Sequence, residues 1–148
     1  MKVVRNKVTV QVALVTGGYG TGGIYMSAQI YSPNTGQVCF LPDMDVVRQL
    51  HNQDGTLACG GWSDSVSDSC STFNSDSGLW NRSHTLPRKR QYSQSWTPQS
   101  GSGTYLIGGE ANADTTDLVK PDGTVQQGFN LKYETRFKTD FNSLQLYY

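Results

Sequence analysis

Charge is what this chain has least of. Only 16% of its 148 residues are Asp, Glu, Lys or Arg, against about 25% in an average domain. The 12 basic side chains are balanced by 12 acidic ones. That balance argues against a general nucleic-acid binder, whose affinity comes from neutralising phosphates. The one basic cluster, Arg88-Lys89-Arg90, reads as a solvated turn. Histidine is scarcer still. His51 and His84 are the whole supply, too few for a copper centre built from several converging ligands. No apolar run approaches the roughly 18 residues of a membrane span. Charge also interrupts Met1 to Lys7 too often for a signal-peptide core. The chain therefore reads as cytosolic, or as exported with a leader lying outside it.

Cysteine is sparse and odd in number: Cys39, Cys59 and Cys70. No C-x-x-C pair exists for a zinc site, and one thiol must stay unpaired within the chain. Cys59 and Cys70 fall on consecutive expected strands, which leaves a cross-strand disulfide open. Asn81-Arg82-Ser83 is a glycosylation sequon that matters only in a secreted protein. These two features point to export, and the compartment stays undecided.

Glycine, by contrast, is abundant, at 16 residues. It is also placed in a pattern. Leu14-Val15-Thr16-Gly17-Gly18 returns as Leu57-Ala58-Cys59-Gly60-Gly61 and as Tyr105-Leu106-Ile107-Gly108-Gly109. Gly18, Gly61 and Gly109 are 43 and 48 residues apart, a period that signals a repeat architecture. Further offsets agree between units. Tyr31, Phe73 and Leu118 align, then Gly36, Gly78 and Gly123, then Val38, Trp80 and Val125. Leu41-Pro42 matches Leu86-Pro87. Units of roughly 12–47, 48–89 and 90–131 follow, each a set of short strands split by Gly-, Pro-, Asn- and Asp-rich turns. The nearly continuous apolar runs before the glycine pairs fit strands covered on both faces. Val8 to Val12 reads as the opening of the first strand. The tail, 132–148, has neither glycine nor proline and breaks the pattern. It reads as a closing strand, a short helix or an unrelated ending.

A unit with a strand ending Gly-Gly, an aromatic strand, a Gly turn, a Trp strand, then Leu-Pro and Arg, resembles the kelch repeat. The likeness runs from residue 12 to about 131. It is best in the second unit, through Gly60-Gly61, Phe73, Gly78, Trp80, Leu86-Pro87 and Arg90. The resemblance implies an all-β fold, a β-propeller segment of about three four-stranded blades in an incomplete ring. Propellers usually close with 4–8 blades, so three blades imply further blades, a second copy or a larger partner.

A rival reading of the first glycine run is a dinucleotide loop. Gly18, Gly20 and Gly23 satisfy G-x-G-x-x-G, with Asp43 twenty residues on. Such a loop must open a helix that faces the pyrophosphate. Only seven residues, Ile24 to Ile30, precede Tyr31 and the Ser32-Pro33 turn, too few for that helix. The run also resembles the opening of short-chain dehydrogenases, but no Tyr is followed four places on by Lys. No catalytic set and no cofactor or metal site is expected. What remains is binding. Loops carry function on a rigid scaffold, and the candidates are Tyr19, Trp62, Asp64 and Glu110 after the glycine pairs, with Arg48 and Arg90 between blades. In kelch proteins such surfaces typically bind proteins. The resemblance thus implies a non-catalytic protein-binding scaffold, with a secreted propeller of galactose-oxidase-like or carbohydrate-binding type as the alternative.

Overall fold

The structure is a computed structural model that describes residues 12–110 and 112–132. The strand expected over Val8 to Gln11 and the tail beyond Lys132 lie outside these residues. Among the described residues there is no helix. Thirteen strands form four antiparallel sheets.

The first sheet joins β1 (Ala13–Thr16), β4 (Ala28–Tyr31) and β5 (Val38–Leu41) in the order β1-β4-β5. The glycine run that follows Gly18 is a two-stranded hairpin, β2 (Tyr19–Gly20) and β3 (Gly23–Ile24). Period-two apolar patterning cannot reveal it, because each strand is two residues long. What holds it is Tyr25, whose hydroxyl accepts from the Gly22 N–H at 3.2 Å.

The second sheet runs β6 (Asn52–Asp54), β7 (Leu57–Cys59), β8 (Ser69–Asn74) and β9 (Leu79–Thr85) in chain order. The third does the same with β10 (Gln94–Trp96), β11 (Thr104–Ile107), β12 (Thr115–Val119) and β13 (Val125–Asn130). Sequence patterning starts the first strands of these two sheets four residues early, at Arg48 and Arg90. Those segments carry only isolated bridges, Gln49 with Trp62 and Gln91 with Glu110, because Leu50 and Tyr92 take φ of 56° and 57° and break the extended chain.

The sheets pack face on face. Ala28 and Met44, with Leu14 and Leu41, meet Ala58, Trp80 and Phe73 of the second sheet. Phe73 and Trp80 are paired in register, with ring centroids 5.5 Å apart. The opposite face of the second sheet, Cys59, Cys70 and Leu57, meets Leu106, Val119 and Val125 of the third. Alternation along each strand explains the split, since neighbours point to opposite faces. The middle sheet is thus covered on both sides, as its unbroken apolar run required.

The register corrects one alignment made from sequence. Tyr31 pairs with Val38 and Phe73 with Trp80, whereas Val125 pairs with Val119, not Leu118. Val119 is therefore the equivalent residue and is buried at 3% exposure, while Leu118 points to the other face.

Candidate functional site

The glycine pairs position everything that follows. Gly60 has φ +65° and Gly61 +91°, conformations that side chains rarely adopt. A Cβ on Gly60 would also stand 2.5 Å from the Arg90 carbonyl oxygen. The close approach exists because the Gly61 N–H donates to that oxygen at 2.7 Å. The first sheet repeats the arrangement, with the Gly18 N–H donating to the Arg48 carbonyl at 2.8 Å.

The two arginine side chains then reach forward into the next sheet. Arg48 Nη1 donates to the Gly60 and Ser69 carbonyls, both at 2.8 Å, and Nη2 donates to Ser69 Oγ and Ser71 Oγ, both at 2.9 Å. Arg90 Nη1 donates to the Gly108 carbonyl at 2.6 Å and to Thr115 O at 3.2 Å. Arg90 Nε is 2.8 Å from Asp117 Oδ2, a carboxylate that is itself fully buried. Both guanidiniums are 1% exposed. Burial pushes each below its ordinary pKa range, opposed at Arg90 by the hydrogen bond and charge of Asp117 and at Arg48 by the charge of Asp45. Placing Arg48 and Arg90 among partner-facing loops is thereby corrected. Both Nη groups of each arginine donate inside the protein, and they tie consecutive sheets together.

The remaining rim residues stand at one repeated place. Tyr19, Trp62 and Glu110 each follow the second glycine of a pair. Trp62 bridges to Gln49, and Glu110 to Gln91, so each sits against the connection that enters its own sheet. Gln91 Nε2 also donates to Glu110 Oε2 at 2.6 Å. Tyr19 is 74% exposed, Trp62 is half-buried, and Asp64 and Glu110 are exposed. The position after each glycine pair thus carries an aromatic, an aromatic and an acid, with Tyr19 set in the β2-β3 hairpin and the other two on isolated bridges.

Cys59 and Cys70 lie in register on β7 and β8 and are joined by a disulfide, S–S 2.05 Å, while Cys39 is free and exposed. Asn81 is on the exposed side of the edge strand β9. The two histidines are apart in the fold. His51 precedes β6 and bonds Thr16 Oγ1 at 2.8 Å, whereas His84 lies on β9 beside Ser83 Oγ at 2.7 Å. Among the described residues no group of three His, Cys, Asp or Glu could hold a metal ion. A cleft of about 270 Å³ opens between the second and third sheets, lined by Leu57, Thr72, His84, Thr104 and Val119. It lies at the strand ends away from the glycine pairs.

Sequence reasoning missed Asp117 altogether. Its only signal was polarity inside an otherwise strand-like Thr-Thr-Asp-Leu-Val run.

No family model matches the chain, and no curated protein does. A solved structure of YjhT superposes with a TM-score of 0.68 at 13% sequence identity, covering 86% of this chain and 52% of that one. The chain spans about half the length of the YjhT structure. At that identity the likeness concerns the fold alone.

Proposed function

We propose that this chain is a kelch-type β-propeller segment that serves as a non-catalytic protein-binding scaffold. The observation that carries the reading is the repeated rim position. Tyr19, Trp62 and Glu110 each follow a glycine pair yet differ in chemistry, Trp62 and Glu110 on isolated bridges and Tyr19 in the β2-β3 hairpin. A catalytic site needs groups converging on one reacting atom. A rim of unlike side chains on a rigid frame suits recognition of an extended protein surface, with Tyr and Trp as anchors. The glycine pairs, the stacked four-stranded sheets and the fold shared with YjhT support the propeller part of the reading.

The test is a comparison of rim and control variants in a protein-capture experiment. Tyr19→Ala, Trp62→Ala and Glu110→Ala should each lose captured protein that the parent and Asn34→Ala retain. Equal capture by all the variants would sink the reading. A second reading, a secreted propeller of galactose-oxidase-like or carbohydrate-binding type, rests on the Cys59–Cys70 disulfide, since such bonds persist in oxidising compartments. Stoichiometric copper in purified protein, or retention on immobilised sugar, would replace the first reading with this one.

A further inference from the structure

The faces of the three stacked sheets can be matched by register. In each, the first glycine of the pair donates its N–H to a carbonyl at the start of the next strand: Gly17 to Ser27, Gly60 to Ser69 and Gly108 to Thr115. Counted back from that bond, Leu14, Leu57 and Tyr105 are equivalent, and so are Val15, Ala58 and Leu106. Leu14 packs on the second sheet and Leu57 on the third, so their position looks to the sheet that follows. Ala58 packs on the first sheet and Leu106 on the second, so their position looks to the sheet that precedes. Val15 and Tyr105 obey the same alternation. Among the described residues, however, no sheet lies before the first or after the third.

Both outer faces are apolar and open. Val15 and Phe40 pair with Gln29, and Tyr31 pairs with Val38, which puts all four apolar side chains on one face of the first sheet. Val15, Tyr31, Val38 and Phe40 are exposed at 47, 41, 50 and 82%. On the third sheet Trp96 stacks on Tyr105 with ring centroids 5.6 Å apart, and Phe129 stands 6.2 Å from the same ring. Trp96 and Phe129 are 40 and 57% exposed. The strands of these two sheets hold a single charged residue, Asp117, and it is turned inward to Arg90. Large apolar exposure of this kind, free of charge, marks an interaction surface.

Resting on the propeller part of the reading above, we propose that these faces are the interface between two copies of this chain. The third sheet of each copy packs on the first sheet of the other, and six sheets close into a ring. The occupant follows from the register. A sheet's forward-looking face meets the backward-looking face of its neighbour at both contacts inside the chain. A second copy offers the same two kinds of face, and each is the counterpart of the one left open. The area is also sufficient. At roughly 200 Å² for a whole aromatic side chain, the exposed parts of Tyr31, Phe40, Trp96 and Phe129 come to about 450 Å² per contact. The pair makes the contact twice, so these four alone remove about 900 Å², against about 1,600 Å² in total for a standard interface. A head-to-tail contact ends in a ring only if its rotation closes, and six sheets fall within the usual 4–8 of a propeller. The chain superposes on 52% of the YjhT structure, so two copies would span that length.

The experiment uses the 148-residue chain with Cys39→Ser, which removes the exposed free thiol. Light scattering at micromolar concentration should give twice the 16.3 kDa chain mass. A monomer would overturn the proposal, and so would assemblies that keep growing with concentration. Phe40→Glu on the first face and Phe129→Lys on the third should each weaken the dimer by about tenfold or more. Mixing the two variants should restore it, because one contact is then intact and the other sets Glu against Lys. If either variant dimerises alone as the parent does, like faces are pairing and the head-to-tail arrangement is wrong. A mixture that stays monomeric also overturns it. Both positions are exposed, and a far-UV spectrum matching the parent's shows that each variant has folded. Phe40→Ser and Phe129→Ser replace any charged variant that has not. Failure here leaves the rim reading standing, because rim capture is read from Tyr19, Trp62 and Glu110, which lie outside both faces.

Discussion

The backbone N–H of Gly61 donates to the carbonyl oxygen of Arg90 at 2.7 Å. Arg90 is in turn held by the third sheet through its side chain. A single residue is therefore bonded through its main chain to one sheet and through its guanidinium to the next.

The first prediction concerns that residue. Arg90→Ala should destabilise the fold by about 3 kcal/mol, because it removes the close partner of the buried Asp117 carboxylate and leaves it only Arg88 Nη1, 4.0 Å from its other oxygen. Removing both, as Arg90→Ala with Asp117→Ala, should cost less than the sum of the single changes. Urea midpoints of the three variants check this. Strict additivity would show that the pair is not coupled.

Arg48 offers a contrast. It has the same carbonyl partners but no buried carboxylate. Arg48→Ala should cost less than Arg90→Ala, about 2–3 kcal/mol, from carbonyls and hydroxyls left unsatisfied. A larger loss at Arg48 than at Arg90 would refute the ranking.

A third prediction separates two glycines of similar φ. Gly60 at +65° has the Arg90 carbonyl in the way of a Cβ, whereas Gly78 at +69° has nothing within 4 Å. Gly78→Ala should cost only the local conformational penalty, about 1 kcal/mol. Gly60→Ala should cost more and disturb the Arg90 joint. Thermal midpoints compared side by side give the answer.

The glycine pairs were legible because a positive φ leaves a direct mark on sequence, and thirteen glycines in the described residues take one. The joints were not. Arginine is almost never fully buried unless paired, so Arg48 and Arg90 were read as surface residues. Their true signal is positional, a fixed four residues before the next inner strand, which only the strand bounds reveal. The surface placement of Tyr19 and Glu110 was legible because they directly follow the glycines. The slip from Val119 to Leu118 arose because the third unit lacks the aromatic pair that fixes register in the second.

A fourth prediction addresses the disulfide. It closes a loop with a sequence separation of 11, worth about 2–3 kcal/mol by loop entropy. Cys59→Ala with Cys70→Ala should lower stability by that amount, and added reductant should do the same to the parent but nothing to the variant. A reductant effect on the variant would place the sensitivity elsewhere.

The last prediction concerns Asn81. If the chain is expressed through a secretory route, this exposed strand residue should carry a glycan, seen as a mass shift that Asn81→Gln removes. An unshifted mass would show that the β9 edge is closed to the modifying enzyme.

The joint between neighbouring sheets asks little of the sequence. Two glycines make room, one arginine fills it, and nearly all the acceptors are main-chain carbonyls or small hydroxyls. Such a coupling does not read the identity of the sheets it joins. Facing residues can therefore drift as long as their bulk is kept, and the rim is freer still. A structure assembled this way can share its fold with YjhT at 13% identity while nearly every other residue differs.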